Sequence, residues 1–189
     1  VIQSATNMRT KEKIRRLILN KQTRGKPKSK TAYFAGGCFW GLESKFKRVT
    51  GVLDTEVGYM GGKGGKGGKG GKGGKGGKGK YTKKKVTYEQ VCTGKTGHSE
   101  TVKVIYDPKK ISFNQLVDLF FTFHDPTTLN KQGPDIGTQY RSIAFYSTKQ
   151  EQQTIQQYIQ KSSKNIVTEV KKKTTFHNAE EYHQNYNEN

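Results

Sequence analysis

At 189 residues, with 11% aromatic side chains, the chain is sized for one domain with an ample core, and general disorder is excluded. The formal charge of +20 would suit a nucleic-acid binder, but it is localised: residues 1–30 carry ten Lys/Arg against Glu12, residues 61–85 carry ten Lys and no acid, and the rest is near neutral. Two cysteines, Cys38 and Cys92, exclude a disulfide scaffold or a cysteine zinc site and suit a reducing compartment, and the absence of a long apolar run predicts a soluble protein.

Residues 1–30 read as a basic tail or a targeting remnant, with one candidate helix at 11–19 whose Ile14, Leu17 and Ile18 form a narrow stripe. A cytoplasmic location is expected, or a mitochondrial or other organellar one if the tail is a targeting remnant. The domain proper spans 31–189. Thr31 to Ala35 reads as a buried strand, Gly36 and Gly37 as a tight turn, and Leu42 to Val49 as a helix with Leu42, Phe46 and Val49 on one face. Cys38 thus falls in a first helical turn, where free N–H groups and the helix dipole are expected to lower a thiol pKa from about 8.5 toward neutrality and make the thiolate a nucleophile. Val52 to Tyr59 reads as a second strand. From Gly61 the triplet GGK repeats six times, and residues 61–85 are expected to be a flexible, disordered loop. It would be either a polyanion tether or, the favoured reading, a low-complexity expansion tolerated because loop closure costs rise slowly with length.

Beyond the loop, Glu100 to Tyr106 alternates as a strand with Val102, Val104 and Tyr106 on one face. Ser112 is a candidate N-cap for a helix whose Leu116, Leu119, Phe120 and Phe123 face the core. Ser142 to Ser147 reads as a strand, Lys149 to Lys161 as a Gln-rich surface helix, Ile166 to Val170 as an edge strand, and Asn178 to Tyr186 as a terminal helix. The mixture predicts an α+β or α/β two-layer domain. The histidines His98, His124, His177 and His183 lack metal-ligand spacing and are expected to be structural, and no bound metal or cofactor is expected.

Five blocks then stand in a familiar order: GGCFWG at 36–41, VGYMGG at 57–62, TYEQVCTGKTGHSE at 87–100, HDPTTLNKQGPDIGTQYRS at 124–142 and AEEYHQNY at 179–186. Together they resemble the A-type peptide methionine sulfoxide reductases over most of 31–186. The resemblance implies a two-layer α/β sandwich related to the ferredoxin-like plait, and thiol-dependent reduction of methionine S-sulfoxide, free or in proteins. It implies Cys38 as nucleophile and Glu100 as a buried, protonated acid. Tyr88 and Tyr140 would donate hydrogen bonds to the sulfoxide oxygen, with Asp135 in the same network, and Phe39 and Trp40 would line the methyl pocket. Without the resemblance, Glu100 opening a strand would read as a solvent-facing carboxylate.

Attack by Cys38 would leave a sulfenic acid. Family members usually resolve it with cysteines near the C-terminus, and none precedes Asn189 here, whether by departure or by truncation. Cys92 is the one internal candidate for a resolving thiol. Direct reduction by thioredoxin, glutaredoxin or a small thiol is the favoured expectation. The expected partners are therefore oxidised proteins or free methionine sulfoxide and a thioredoxin-type reductant. No specific nucleic acid is expected, only weak polyanion contact through Lys63 to Lys85, and the chain should be a monomer. Two rival readings are a polyanion-binding module and another Cys38 enzyme, a peroxidase or acyl-transfer hydrolase. The latter lacks a His-Asn or His-Asp partner block.

Overall fold

The computed structural model describes residues 28–62 and 85–186, so the candidate helix at 11–19 and most of the GGK loop lie outside the described residues. In chain order the elements are β1 (Lys30–Ala35), α1 (Phe39–Lys47), β2 (Val52–Met60), α2 (Tyr88–Cys92), β3 (Ser99–Tyr106), α3 (Phe113–Phe123), β4 (Lys131–Gln132), β5 (Asp135–Ile136), β6 (Ile143–Tyr146), α4 (Lys149–Lys161), β7 (Glu169–Lys172) and β8 (His177–Asn178). Six strands form one mixed sheet in the order β7-β6-β1-β3-β2-β8, antiparallel except for the β6–β7 pair, and β4 and β5 form a separate hairpin.

Alternation along the strands decides the layers. Ala32 and Phe34 of β1, Val57 and Tyr59 of β2, and Val102, Val104 and Tyr106 of β3 share the face that α1, α3 and α4 cover with Phe39, Leu42, Phe46, Leu116, Phe120 and Ile155. Phe34 anchors this layer, its ring 4.9 Å from Phe120 and 5.2 Å from Phe46. The opposite face carries a smaller cluster of Ala35, Met60, Ile143 and Phe145, closed by Tyr33 and Phe176. The result is the expected α+β fold with helices layered on one side of a sheet.

Helix starts follow their caps. Ser112 and Gln115 form a reciprocal capping box at α3, and Thr148 accepts the Glu151 N–H at α4. The buried face of α3 also takes Val117 and Phe121, while Leu119 and Phe123 are only half-buried, because they border the exposed side that carries Asn114, Gln115, Asp118 and Thr122. The edge strand lies at Glu169–Lys172, three residues later than Ile166 suggested.

The terminal helix expected over Asn178 to Tyr186 does not form. The segment pairs briefly with β2 as β8, makes one 3-10 turn at Glu181–His183 and otherwise runs extended. Its polar groups explain this, since several of them are bonded to distant parts of the chain. Gln184 accepts the Val57 N–H and donates to the Val57 carbonyl, both at 2.9 Å, mimicking a strand partner. Glu43 accepts the Asn185 N–H at 3.0 Å. A helix would withdraw these groups from the sheet.

Gly58 makes room for this crossing, because a Cβ there would stand 2.3 Å from the His177 carbonyl. Gly58→Ala is therefore expected to cost about 2–3 kcal/mol by overpacking. Gly41→Ala, in α1 with nothing within 4 Å, should instead stabilise by roughly 0.5–1 kcal/mol. Urea unfolding of the pair checks both signs.

Candidate active site

The chain leaves β1 through Gly37, whose φ of +88° suits glycine and whose missing Cβ leaves space for Gln132 of β4. The Gly37 N–H donates to the Tyr140 carbonyl at 3.2 Å. One turn thus locks the β4–β5 hairpin and the 3-10 turn Thr138–Tyr140 against the start of α1, where Cys38 is the N-cap residue. The Cys38 thiol is half-buried and free. Its pKa is not lowered as expected from the helix start. Burial pushes it up, the Trp40 and Gly41 N–H groups pull it down, and charge on Glu100 and Asp135 pushes it further up, so the balance lies above the ordinary value. The helix terminus does address the sulfur, but desolvation outweighs it.

Glu100 stands in β3 on the same face as Val102, Val104 and Tyr106, and it is only 2% exposed. The solvent-facing reading of this residue is therefore wrong. One carboxyl oxygen accepts the Phe39 N–H at 3.3 Å, and the other is buried with no hydrogen-bond partner among the described residues. Burial raises the carboxyl from 4.5 to about 8, the Phe39 N–H opposing and the Asp135 charge adding to it. At neutral pH it is a neutral acid with a proton to donate, anchored to the N–H of the residue that follows Cys38.

Tyr88 begins α2, which is held by a Thr87–Gln90 capping box and by Glu180, whose carboxylate accepts the Tyr88 N–H at 2.9 Å and the Tyr59 hydroxyl at 3.0 Å. The Tyr88 phenol is hydrogen-bonded to Tyr140 and, one helical turn on, to the Cys92 thiol. Burial first, then these bonds, keep Tyr88 protonated far above its ordinary range. Tyr140 is also raised by burial, against a bond from Tyr88 that lowers it, with Glu100 and Asp135 adding charge. Asp135, on β5, is thus felt by Cys38, Glu100 and Tyr140 alike. Cys92 is exposed at the rim.

The site has a wall that the residues alone did not reveal. His183 is 3% exposed, its ring 5.3 Å from Phe39, 5.4 Å from Trp40 and 4.9 Å from Tyr88, while Tyr186 stacks on Trp40 at 3.7 Å. Burial holds the His183 pKa low, so the ring serves as a neutral aromatic surface. Glu180, His183 and Tyr186 lie in the AEEYHQNY block. The available signal was its alternation of acid, aromatic and amide, unlike an amphipathic helix. Elsewhere, His98 accepts the Gly62 N–H and His124 bridges the Phe120 carbonyl and the Ser142 hydroxyl, as structural groups do.

Comparison with known proteins agrees with this arrangement. The peptide methionine sulfoxide reductase family model matches residues 30–67 and 72–189. A peptide methionine sulfoxide reductase MsrA of Geobacter metallireducens is 43% identical over 166 residues, which cover 85% of this chain and 91% of the relative. Among solved structures, Mxr1 from Saccharomyces cerevisiae in reduced form aligns with a TM-score of 0.70 at 36% identity, over 85% of this chain and 84% of that one. Methionine sulfoxide reductase A of Corynebacterium diphtheriae aligns with a TM-score of 0.68 at 33% identity, over 86% and 76%. A cysteine at a helix start beside a neutral carboxylic acid therefore sits on a matching fold and sequence, and the chain belongs to the peptide methionine sulfoxide reductase family as a thiol-dependent oxidoreductase of the A type.

Proposed function

We propose that the chain reduces the S-epimer of methionine sulfoxide, free or within oxidised proteins, with Cys38 as nucleophile and Glu100 as acid. The observation that carries this reading is the unpartnered, buried Glu100 oxygen, in a carboxyl whose other oxygen is fixed by the Phe39 N–H at the start of α1. The sulfoxide oxygen takes the hydrogen bond that this group lacks, with Tyr88 and Tyr140 as further donors and Asp135 keeping the Glu100 proton in place. Phe39 and Trp40, with His183, receive the methyl group.

Donation from Glu100 makes the substrate sulfur electrophilic, and the Cys38 sulfur attacks it as its own proton leaves. The S–O bond breaks, oxygen passes to Cys38, and a thiol plus a sulfoxide become a sulfenic acid plus a thioether. The cysteine sulfur is oxidised by two electrons and the substrate sulfur is reduced by two. Two external thiols then return Cys38 to the thiol with loss of water, and a thioredoxin-type reductant, glutaredoxin or a small thiol fits that step. Exposure of Cys92 and its bond to Tyr88 support it as the internal alternative.

One equivalent of methionine sulfoxide followed by thiol titration tests the scheme. Loss of one thiol is expected for a standing sulfenic acid, and loss of both means a Cys38–Cys92 bridge. No loss of thiol with sulfoxide consumed would overturn the assignment of Cys38.

A further inference from the structure

Tyr140 closes the 3-10 turn Thr138–Tyr140, and a turn of three residues makes few hydrogen bonds of its own. Four consecutive carbonyls, those of residues 138 to 141, are nevertheless all taken. That of Tyr140 accepts the Gly37 N–H at 3.2 Å. Those of Gln139 and Arg141 share the Ser99 hydroxyl, at 3.1 and 3.2 Å. That of Thr138 accepts Nη1 of Arg141 at 2.9 Å, from a side chain folded back over its own turn.

The same guanidinium reaches beyond the turn. Its Nη2 donates to the Gly97 carbonyl at 2.9 Å, and its Nε lies 3.3 Å from Oε1 of Glu169 on β7. Gly97 and Ser99 precede Glu100 by three residues and by one, and Gly37 directly precedes Cys38. A buried arginine and a buried serine therefore bolt the Tyr140 turn to the start of the strand that carries the acid, while Gly37 ties it to the nucleophile. Burying a guanidinium costs stability, and an apolar side chain of similar volume often holds a fold as well. It would not hold carbonyls of two separate segments at a fixed separation. The rigid fork of arginine does so, whereas the ammonium of lysine is a single point on a flexible stem. None of the side-chain partners of Arg141 is a group assigned to the chemistry, so what it supplies is geometry.

We propose that Arg141, seconded by Ser99, is a positioning residue for sulfoxide reduction, setting the Tyr140 hydroxyl relative to Glu100 so that both reach one substrate oxygen. This role rests on the reading of Tyr140 as a donor to that oxygen. Misplacing such a donor by about 1 Å costs as much as about 100-fold in rate.

Steady-state reduction of methionine sulfoxide is measured for the full chain, for Arg141→Lys, Ser99→Ala and Tyr140→Phe, and for each of the first two combined with Tyr140→Phe, at a temperature where urea unfolding shows every protein folded. Arg141→Lys is expected to lower kcat about 10- to 100-fold with KM within about threefold of the parent, and Ser99→Ala, the milder change, to lower kcat about fivefold. In the Tyr140→Phe background either change should cost less than about twofold more, because the hydroxyl that they place is already gone. A general loosening of the fold would instead carry over undiminished into that background. Should Arg141→Lys fail to fold, Ser99→Ala decides alone. The role is overturned if the folded variants keep the parent's kcat, or if their losses multiply with that of Tyr140→Phe, and either result leaves the donor reading of Tyr140 standing. Full kcat in Tyr140→Phe would overturn that reading itself, and this role with it.

Discussion

Cys38→Ser is expected to reduce turnover of methionine sulfoxide by at least about 10⁴-fold while leaving the fold intact. The change replaces one atom at an N-cap position, and serine is among the residues best suited to such a cap. The Trp40 and Gly41 N–H groups that address the sulfur would address the hydroxyl as well. What is lost is the ability of the nucleophile to accept oxygen, because only sulfur forms the sulfenic acid that the electron balance requires. The raised thiol pKa sharpens the point: with Cys38 held as a thiol, the proposed scheme generates the nucleophile as the substrate is protonated. Iodoacetamide should therefore alkylate Cys38 slowly at pH 7 compared with a low-pKa catalytic thiol, and faster as pH rises. Residual sulfoxide turnover within tenfold of the parent would move the nucleophile to Cys92, the only other thiol in the chain.

Much of the site's scaffold is legible in local sequence because local rules govern it. The alternation of Val102, Val104 and Tyr106 fixes the inner face of β3, and extended by one step it puts Glu100 on that face too. The same logic that identified the strand would have buried the acid. The bounds of α4 match expectation at both ends because Thr148 supplies a cap and the periodicity is clean. Other features are settled only by tertiary contact. The hairpin strands β4 and β5 have two residues each, too short for any periodicity, yet they deliver Asp135. Helix α2 has five residues and borrows an anchor from Glu180, 92 positions away from Tyr88. The C-terminal segment looks helical by composition until Gln184 finds the backbone of Val57. The direction of the Cys38 shift is not legible for the same reason: a helix end can be read from sequence, whereas the desolvation that outweighs it depends on what packs around the sulfur.

Glu100→Gln is expected to lower kcat by about 10²- to 10³-fold, with KM for methionine sulfoxide changed only a few-fold, as removal of a general acid would do. The amide oxygen can still accept the Phe39 N–H, so the start of α1 keeps its anchor and the substrate keeps a hydrogen-bond donor. The proton is what disappears. In the parent enzyme the acid works only while protonated, so kcat should fall as pH rises through about 8, and the variant should lose that falling limb. The same carboxyl makes stability depend on pH in the same direction. Between its ordinary value of 4.5 and its folded value of about 8, the native state holds a proton that the unfolded chain has released, so stability declines as pH increases across that window. At about 1.4 kcal/mol per pH unit, the decline attributable to this carboxyl amounts to about 5 kcal/mol at most by pH 8. Glu100→Gln cannot ionise and should flatten it, so urea unfolding at pH 5 and pH 8 should show the variant gaining on its parent at the higher pH. A kcat profile flat through pH 8 in the parent, or a stability gradient identical in both proteins, would show that Glu100 is already ionised and cannot be the acid. Joint movement of rate and stability in opposite directions in the variant would mean that the buried proton costs fold stability because the reaction requires it.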